Sequence, residues 1–249
     1  MKKAEALRIF HQYVPDHGRH EALWRHFDDH YFQRFDAREI GWHTRTLCLR
    51  PAPQRPVVRA RLSPIGEGLQ VMVYAHDQPG VFARITGFFE RHQFDIAAAK
   101  IYTTSHGFAL DGFQVLARAR DGEHYRDLIH KVEEGLAAAL APGAPLAAPP
   151  TGRVSRWVKH FPFEPKVEIV RTRTRHAWQV FASCADRPGL LSAIARAMLD
   201  HGLNLVDARV TTLGARAEDV FVVNGEALED ESGRAAFAAA LRRVLSGEP

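Results

Sequence analysis

Two short corners, Asp77-Gln78-Pro79-Gly80-Val81 and Asp186-Arg187-Pro188-Gly189-Leu190, combine residue types that bind an anion through the backbone. Proline fixes φ, and glycine enters the left-handed region without a steric penalty. Apolar residues at i, i+4 and i+7 follow each corner (Val81, Ile85, Phe88 and Leu190, Ile194, Ala197), the spacing of one helix face. Each corner therefore ends at a helix start whose first N–H groups lack intrahelical acceptors, and such an end attracts a carboxylate. An α-amino acid fits this chemistry. Its carboxylate sits on N–H groups near Gly80 or Gly189, and its amino group or side chain meets Asp95 or Asn204, polar residues at the strand that follows each helix. The candidate ligand-binding set is Asp77, Gln78, Gly80, Val81, Asp95 and Ile96, with Asp186, Arg187, Gly189, Leu190, Asn204 and Leu205. Either corner alone also reads as a tight strand-to-helix turn; recurrence with a polar residue at the same distance downstream favours a site.

Other constellations carry less chemistry. Ser183-Cys184 beside Asp186 supplies nucleophile types without a base at a useful spacing. Cys48 and Cys184 form no CxxC pair and read as buried, reduced thiols. His76-Asp77 looks like a metal-binding pair, but the second corner has Ala185-Asp186 in its place. His26 and His30, with Asp29 nearby, have a spacing that suits two metal ligands on a helix or, more simply, a solvated helix face. A basic stretch, Arg153, Arg156, Lys159, Lys166, Arg171, Arg173 and Arg175, contains Trp157 and Phe161 and is interrupted by Glu164 and Glu168. Alternating arginines also describe a solvated strand face, and an acidic protein partner suits the stretch better than nucleic acid. No catalytic residue, metal ligand or cofactor is assigned to the chain.

A repeat positions the corners. Asp77 and Asp186 stand 109 residues apart, and the same offset relates Ile85 to Ile194, Phe94-Asp95-Ile96 to Leu203-Asn204-Leu205, and Thr103 to Thr212. One residue less relates Asp111-Gly112-Phe113-Gln114-Val115 to Asp219-Val220-Phe221-Val222-Val223. In each copy, alternation predicts a strand (69–75 or 177–182) before the helix and another after it. The later strand changes apolar phase by one residue after Ile96 or Leu205, as at a β-bulge. A third strand (108–116 or 220–223) and an amphipathic helix complete the copy, and a β-like segment, Val57 to Arg61 or Val167 to Arg171, precedes it. The class is α+β, and the order ββαββα is a permuted ferredoxin-like unit.

The expected units are a helical segment over 1–50, repeats over 57–140 and 166–249, and a Pro/Ala-rich and basic linker over 141–165. Asp36-Ala37-Arg38-Glu39 fits a capping box inside the helical segment. With 46% hydrophobic residues, the 249-residue chain can build a core, which excludes a purely disordered protein. A net charge of +4 does not demand nucleic acid. No apolar run reaches the length of a membrane span and the polar start lacks a signal-peptide core, so a soluble, cytoplasmic protein is expected.

The corner motifs, with Leu203-Asn204-Leu205 and Asp219 to Val223, resemble ACT domains, small amino-acid-binding regulatory modules of ferredoxin-like fold. Trp24 to Thr46, with Asp28-Asp29-His30-Tyr31-Phe32 and Ile40-Gly41-Trp42-His43-Thr44-Arg45, resembles the segment that precedes the tandem ACT domains of the bacterial PII uridylyltransferase/uridylyl-removing enzyme. The resemblance covers nearly the whole chain and implies an allosteric glutamine sensor in nitrogen regulation. It places UMP transfer to the PII protein, its hydrolytic reversal, UTP and Mg²⁺ with catalytic domains. The chain lacks their Gly-Ser corner with a D-x-D pair and their HD ligand set, and is expected to be inactive alone. The implied partners are L-glutamine or another small amino acid, the catalytic domains or PII, and a second ACT pair in a homo-oligomer, with neither membrane nor nucleic acid. The alternative is a freestanding tandem-ACT regulator acting through a protein partner.

Overall fold

The computed structural model describes residues 2–13, 18–118, 124–146, 148, 164–173 and 177–247. Four helices come first: α1 (Lys2–His11), α2 (Arg19–Trp24), α3 (Asp29–Arg34) and α4 (Ala37–Leu47). The first repeat is β1 (Val57–Leu62), β2 (Leu69–His76), α5 (Val81–Arg91), β3 (Phe94–Lys100), β4 (Phe108–Ala117) and α6 (Tyr125–Ala139). The second is β5 (Lys166–Arg171), β6 (Trp178–Ala185), α7 (Leu190–Asp200), β7 (Asn204–Arg209), the short β8 (Thr212–Leu213), β9 (Arg216–Asn224) and α8 (Glu231–Ser246), with a 3-10 turn, Glu226–Leu228, before α8. The ββαββα order is therefore present twice. The final strand of the second repeat is longer than the expected 220–223, because Arg216, Glu218 and the buried Asp219 mask its alternation.

Asp36 starts α4 by accepting the N–H groups of Arg38 and Glu39, while Glu39 Oε2 accepts the Asp36 N–H at 2.8 Å. Both phase slips are bulges: register shifts occur between Ile96 and Ala98 in β3 and between Leu205 and Asp207 in β7. The strands form one antiparallel sheet, β1-β2-β4-β3-β7-β9-β6-β5, with β8 beside β9. The palindromic order places the repeats side by side, and their seam has one paired position, Lys100 with Arg209.

Helices α5 to α8 cover one face, with α5 and α7 packed together across the seam. One apolar core runs beneath all four and includes Phe88, Phe113, Ile194 and Phe221. The N-terminal helices cover the other face of the first repeat, where Phe27, Tyr31, Phe35 and Ile40 pack on Met72, Tyr74, Tyr102, Phe108 and Leu110. Among the described residues no helix is long and apolar enough to cross a membrane.

Candidate functional site

Gly80 and Gly189 are the N-caps of α5 and α7, with φ of 87° and 88°. The left-handed backbone makes glycine the natural choice at both. Before each glycine, the corner is anchored to a neighbouring loop: Asp77 N–H donates to Gly107 O and Asp186 N–H to Ala215 O, each at 2.9 Å. The two corners are thus built alike, as their shared sequence requires.

Along the chain, Asp95 follows the first corner and Asn204 the second. The fold exchanges them. The first corner, Asp77, Gln78, Gly80 and Val81, lies against Asn204 and Leu205 of the second repeat. Asp186, Arg187 and Leu190 of the second corner share a cavity with Asp95 and Ile96 of the first repeat. The exchange follows from the seam: pairing β3 to β7 sets the start of each strand beneath the helix of the other repeat. Each site therefore contains residues of both repeats.

The two sites differ in room. Ala195, Met198 and Leu199 crowd the first, leaving about 30 Å³, whereas the second encloses about 680 Å³. In the first, Thr103 Oγ1 donates to Asp77 Oδ2 at 3.0 Å and the Asn204 side chain also donates to that carboxyl. Burial still pushes the Asp77 carboxyl above its ordinary value. In the second, Arg118 is fixed on Asp95 Oδ1 through Nε at 2.9 Å and Nη2 at 2.5 Å. Burial, reinforced by Asp95, raises the Asp186 carboxyl, and burial raises that of Glu90 to about 7. A homologous buried acid lies at each site: Asp111, raised to about 8, and Asp219, raised to about 7, both through desolvation.

Sequence reasoning did not select Thr86, Glu90, Arg118, Asp111 or Asp219 as site residues. Glu90 stands among helical positions of no special spacing, and its signal is the contrast with Leu199 at the same place in the repeat.

Cys48 and Cys184 are buried, and burial pushes the Cys184 thiol up to about 12, which suppresses its nucleophilic form. His26 and His30 do not share a helix: α2 ends at Trp24, and Asp28 restarts the chain by capping α3. His26 instead stacks on His106, ring centroids 3.8 Å apart, and His30 Nε2 lies 3.5 Å from Asp207 Oδ2. Among the described residues, no group of three or more His, Cys, Asp or Glu is arranged to hold a metal ion. Arg153, Arg156, Trp157, Lys159, Phe161 and Arg175 lie outside the described residues. Of the rest of that stretch, Arg171 lies 3.5 Å from Glu229 and rests over the Trp178 ring.

Comparison with known proteins agrees with this architecture. Residues 70–134 and 178–243 match the family described as ACT domain, and residues 1–46 match the uridylyltransferase GlnD fifth domain. The chain is 48% identical over 225 residues to the bifunctional uridylyltransferase/uridylyl-removing enzyme of Thiobacillus denitrificans, covering 90% of this chain and 26% of that protein. It is 46% identical over 232 residues to the Chromobacterium violaceum protein of the same description, covering 93% of this chain and 27% of that one. The chain thus spans about a quarter of the length of these relatives. Among solved structures, an unknown protein from Galdieria sulphuraria aligns with 14% identity and a TM-score of 0.26 over 76% of this chain and 91% of its own, a likeness too low for structural inference. The chain belongs to the ACT-domain family, as a tandem pair that, with its helical segment, is similar to the C-terminal region of bifunctional uridylyltransferase/uridylyl-removing enzymes.

Proposed function

We propose that the chain is the regulatory, glutamine-sensing part of a bifunctional PII uridylyltransferase/uridylyl-removing enzyme, with ligand bound at the second corner. The carrying observation is the cavity that joins Asp186, Arg187, Pro188 and Leu190 of the second corner to Asp95 and Ile96 of the other repeat. Its volume lies within the range of small-molecule pockets. The ligand's carboxylate sits on the α7 N-terminus, and its amino group is drawn by Asp95 and Asp186.

Because both repeats form the wall, binding is sensitive to how they sit against each other. The helical segment touches both sides of the seam: Lys100 Nζ lies 2.6 Å from Glu39 Oε2, and Arg34 Nη2 lies 2.6 Å from Asp207 Oδ1. A ligand that favours one seam geometry therefore changes the setting of α3 and α4, and through them of catalytic domains. Regulation requires only that glutamine bind one arrangement more tightly than another.

Calorimetric titration of the chain with L-glutamine and other amino acids tests this reading, using Gly189→Ala and Gly80→Ala as a pair. Their φ values are nearly equal, so both substitutions strain the same kind of turn. Saturable binding selective for glutamine, lost in Gly189→Ala and kept in Gly80→Ala, is expected. Selectivity for another amino acid favours a freestanding regulator; no binding to the folded protein overturns the proposal.

A further inference from the structure

The corners share a turn but not their walls. The offset that relates the repeats sets Glu90 opposite Leu199 and Thr86 opposite Ala195. At the first corner Leu199 closes the space, its Cδ2 lying 3.1 Å from where a Cβ at Gly80 would stand. At the second, Glu90 and Thr86 form the equivalent wall. The Thr86 hydroxyl is engaged within its own helix, donating to Phe82 O at 2.9 Å. Glu90 is different: its Oε2 is buried and has no hydrogen-bond partner among the described residues. A buried polar atom without a partner is costly, and such atoms in native proteins generally mark a role.

The surrounding charges restrict that role. Glu90, Asp95, Asp186 and Asp219 all line the cavity, with Arg118 and Arg187 as its cations. Arg118 is held on Asp95, while Arg187 donates through Nη2 to Val244 O at 2.6 Å and its Nε is buried with no hydrogen-bond partner among the described residues. Four acids face two cations, one of them already paired with Asp95, so a carboxylate on the ligand's side chain would meet a net acidic lining. A neutral group carrying N–H meets an acceptor.

We propose that Glu90 is a specificity-determining residue of the second-corner site: its Oε2 accepts a hydrogen bond from the donor end of the ligand's side chain, so the site takes amino acids ending in a carboxamide and rejects those ending in a carboxylate. This rests on the amino-acid-binding reading above and assigns its discrimination to one residue of the first repeat.

The test is calorimetric titration of the full chain at pH 8 with L-glutamine and L-glutamate, comparing wild type, Glu90→Gln and Glu90→Leu, with thermal melts to confirm folding. Wild type is expected to prefer glutamine. Glu90→Leu, which installs the side chain of the first corner, lowers glutamine affinity by about tenfold or more because the ligand's N–H loses its acceptor. Glu90→Gln keeps an acceptor but removes the charge, so the glutamine-to-glutamate affinity ratio falls by about tenfold. If Glu90→Leu fails to fold, the ratio in Glu90→Gln decides. Unchanged glutamine affinity and an unchanged ratio in the folded variants overturn the role of Glu90 while leaving the site intact. A wild type that binds no amino acid overturns the site itself.

Discussion

Arg34 Nη2 lies 2.6 Å from Asp207 Oδ1, so a residue of α3, far from the second repeat in sequence, is ion-paired to β7. The same guanidinium donates to Ala208 O. On the other strand of the seam, Glu39 accepts from Lys100 Nζ through both carboxylate oxygens, at 2.8 and 2.6 Å. Lys100 is also half of the one pair that joins β3 to β7. The helical segment thus contributes to the seam that the sheet itself joins sparsely.

Breaking one grip tests that arrangement. Both side chains of the Arg34–Asp207 pair are 17% exposed, so removing the cation leaves a carboxylate in a mostly desolvated setting. Arg34→Ala is expected to lower unfolding free energy by about 1–3 kcal/mol. Backbone hydrogen exchange around Lys100 and Arg209 should rise more than exchange in β5 or β1. Urea unfolding and exchange mass spectrometry read the two effects, and unaltered exchange at the seam counts against a clamp.

Alkaline pH should weaken the fold through its buried acids. Asp111 accepts the Tyr102 N–H at 3.3 Å and Asp219 the Thr211 N–H at 3.1 Å, yet desolvation raises their carboxyls to about 8 and about 7. The unfolded chain releases these protons near the ordinary value of 3.8, while the folded chain keeps them. Stability therefore falls as pH rises from there, Asp219's contribution ending near 7 and Asp111's near 8, with a slope of up to about 1.4 kcal/mol per pH unit for each group. Asp111→Asn retains an acceptor for Tyr102 and should flatten the slope between pH 7 and 8. A wild-type urea midpoint that is flat from pH 6 to 8 would contradict this.

His43 gives the opposite slope on the acid side. It is buried in α4, its Nδ1 is 2.9 Å from Tyr31 Oη, and desolvation, with Arg61 and Lys100 nearby, lowers its pKa from 6.5 to about 3. Below 6.5 the unfolded chain takes up a proton that the folded chain refuses, so this contribution to stability is lost as pH falls toward 3. Because the acids gain over the same interval, the two slopes oppose each other there. His43→Gln should leave urea midpoints at pH 5 higher relative to those at pH 7 than in wild type. An unchanged ratio would mean that the imidazole is not the group being protonated.

The elements were legible because the chain states them twice. The Asp77 and Asp186 corners, the bulges after Ile96 and Leu205, and the Asp36–Glu39 box are local in sequence and were found there. What stayed hidden is non-local. Nothing in the spacing of Asp95 or Asn204 reveals that β3 pairs with β7 and trades their partners. The His26–His30 spacing suggested one helix face because a four-residue interval is helical in form, but the Asp28 cap between them was the stronger signal. The cover over the first repeat left a trace that periodicity alone does not display. Tyr74 and Leu110 lie in the N-terminal cluster, whereas the second repeat has Ser183 and Glu218 at those places.

Gly112 belongs to the same trace, and its counterpart in the second repeat is Val220. A Cβ at Gly112 would stand 3.2 Å from Phe35 Cε1, so the fully buried Phe35 ring rests where this strand lacks a side chain. Val220 carries no such constraint, being half-buried in its own repeat. Gly112→Val is better suited to β structure in isolation, yet it should drive Phe35 from the sheet and destabilise the protein by about 1–3 kcal/mol. Adding Phe35→Ala makes room for the new side chain, so the double variant should lose less than the sum of the single changes. A urea-unfolding double-mutant cycle measures this coupling. Additive losses would show that Phe35 and Gly112 do not constrain each other, leaving the seating of α3 on the sheet to the rest of the aromatic cluster.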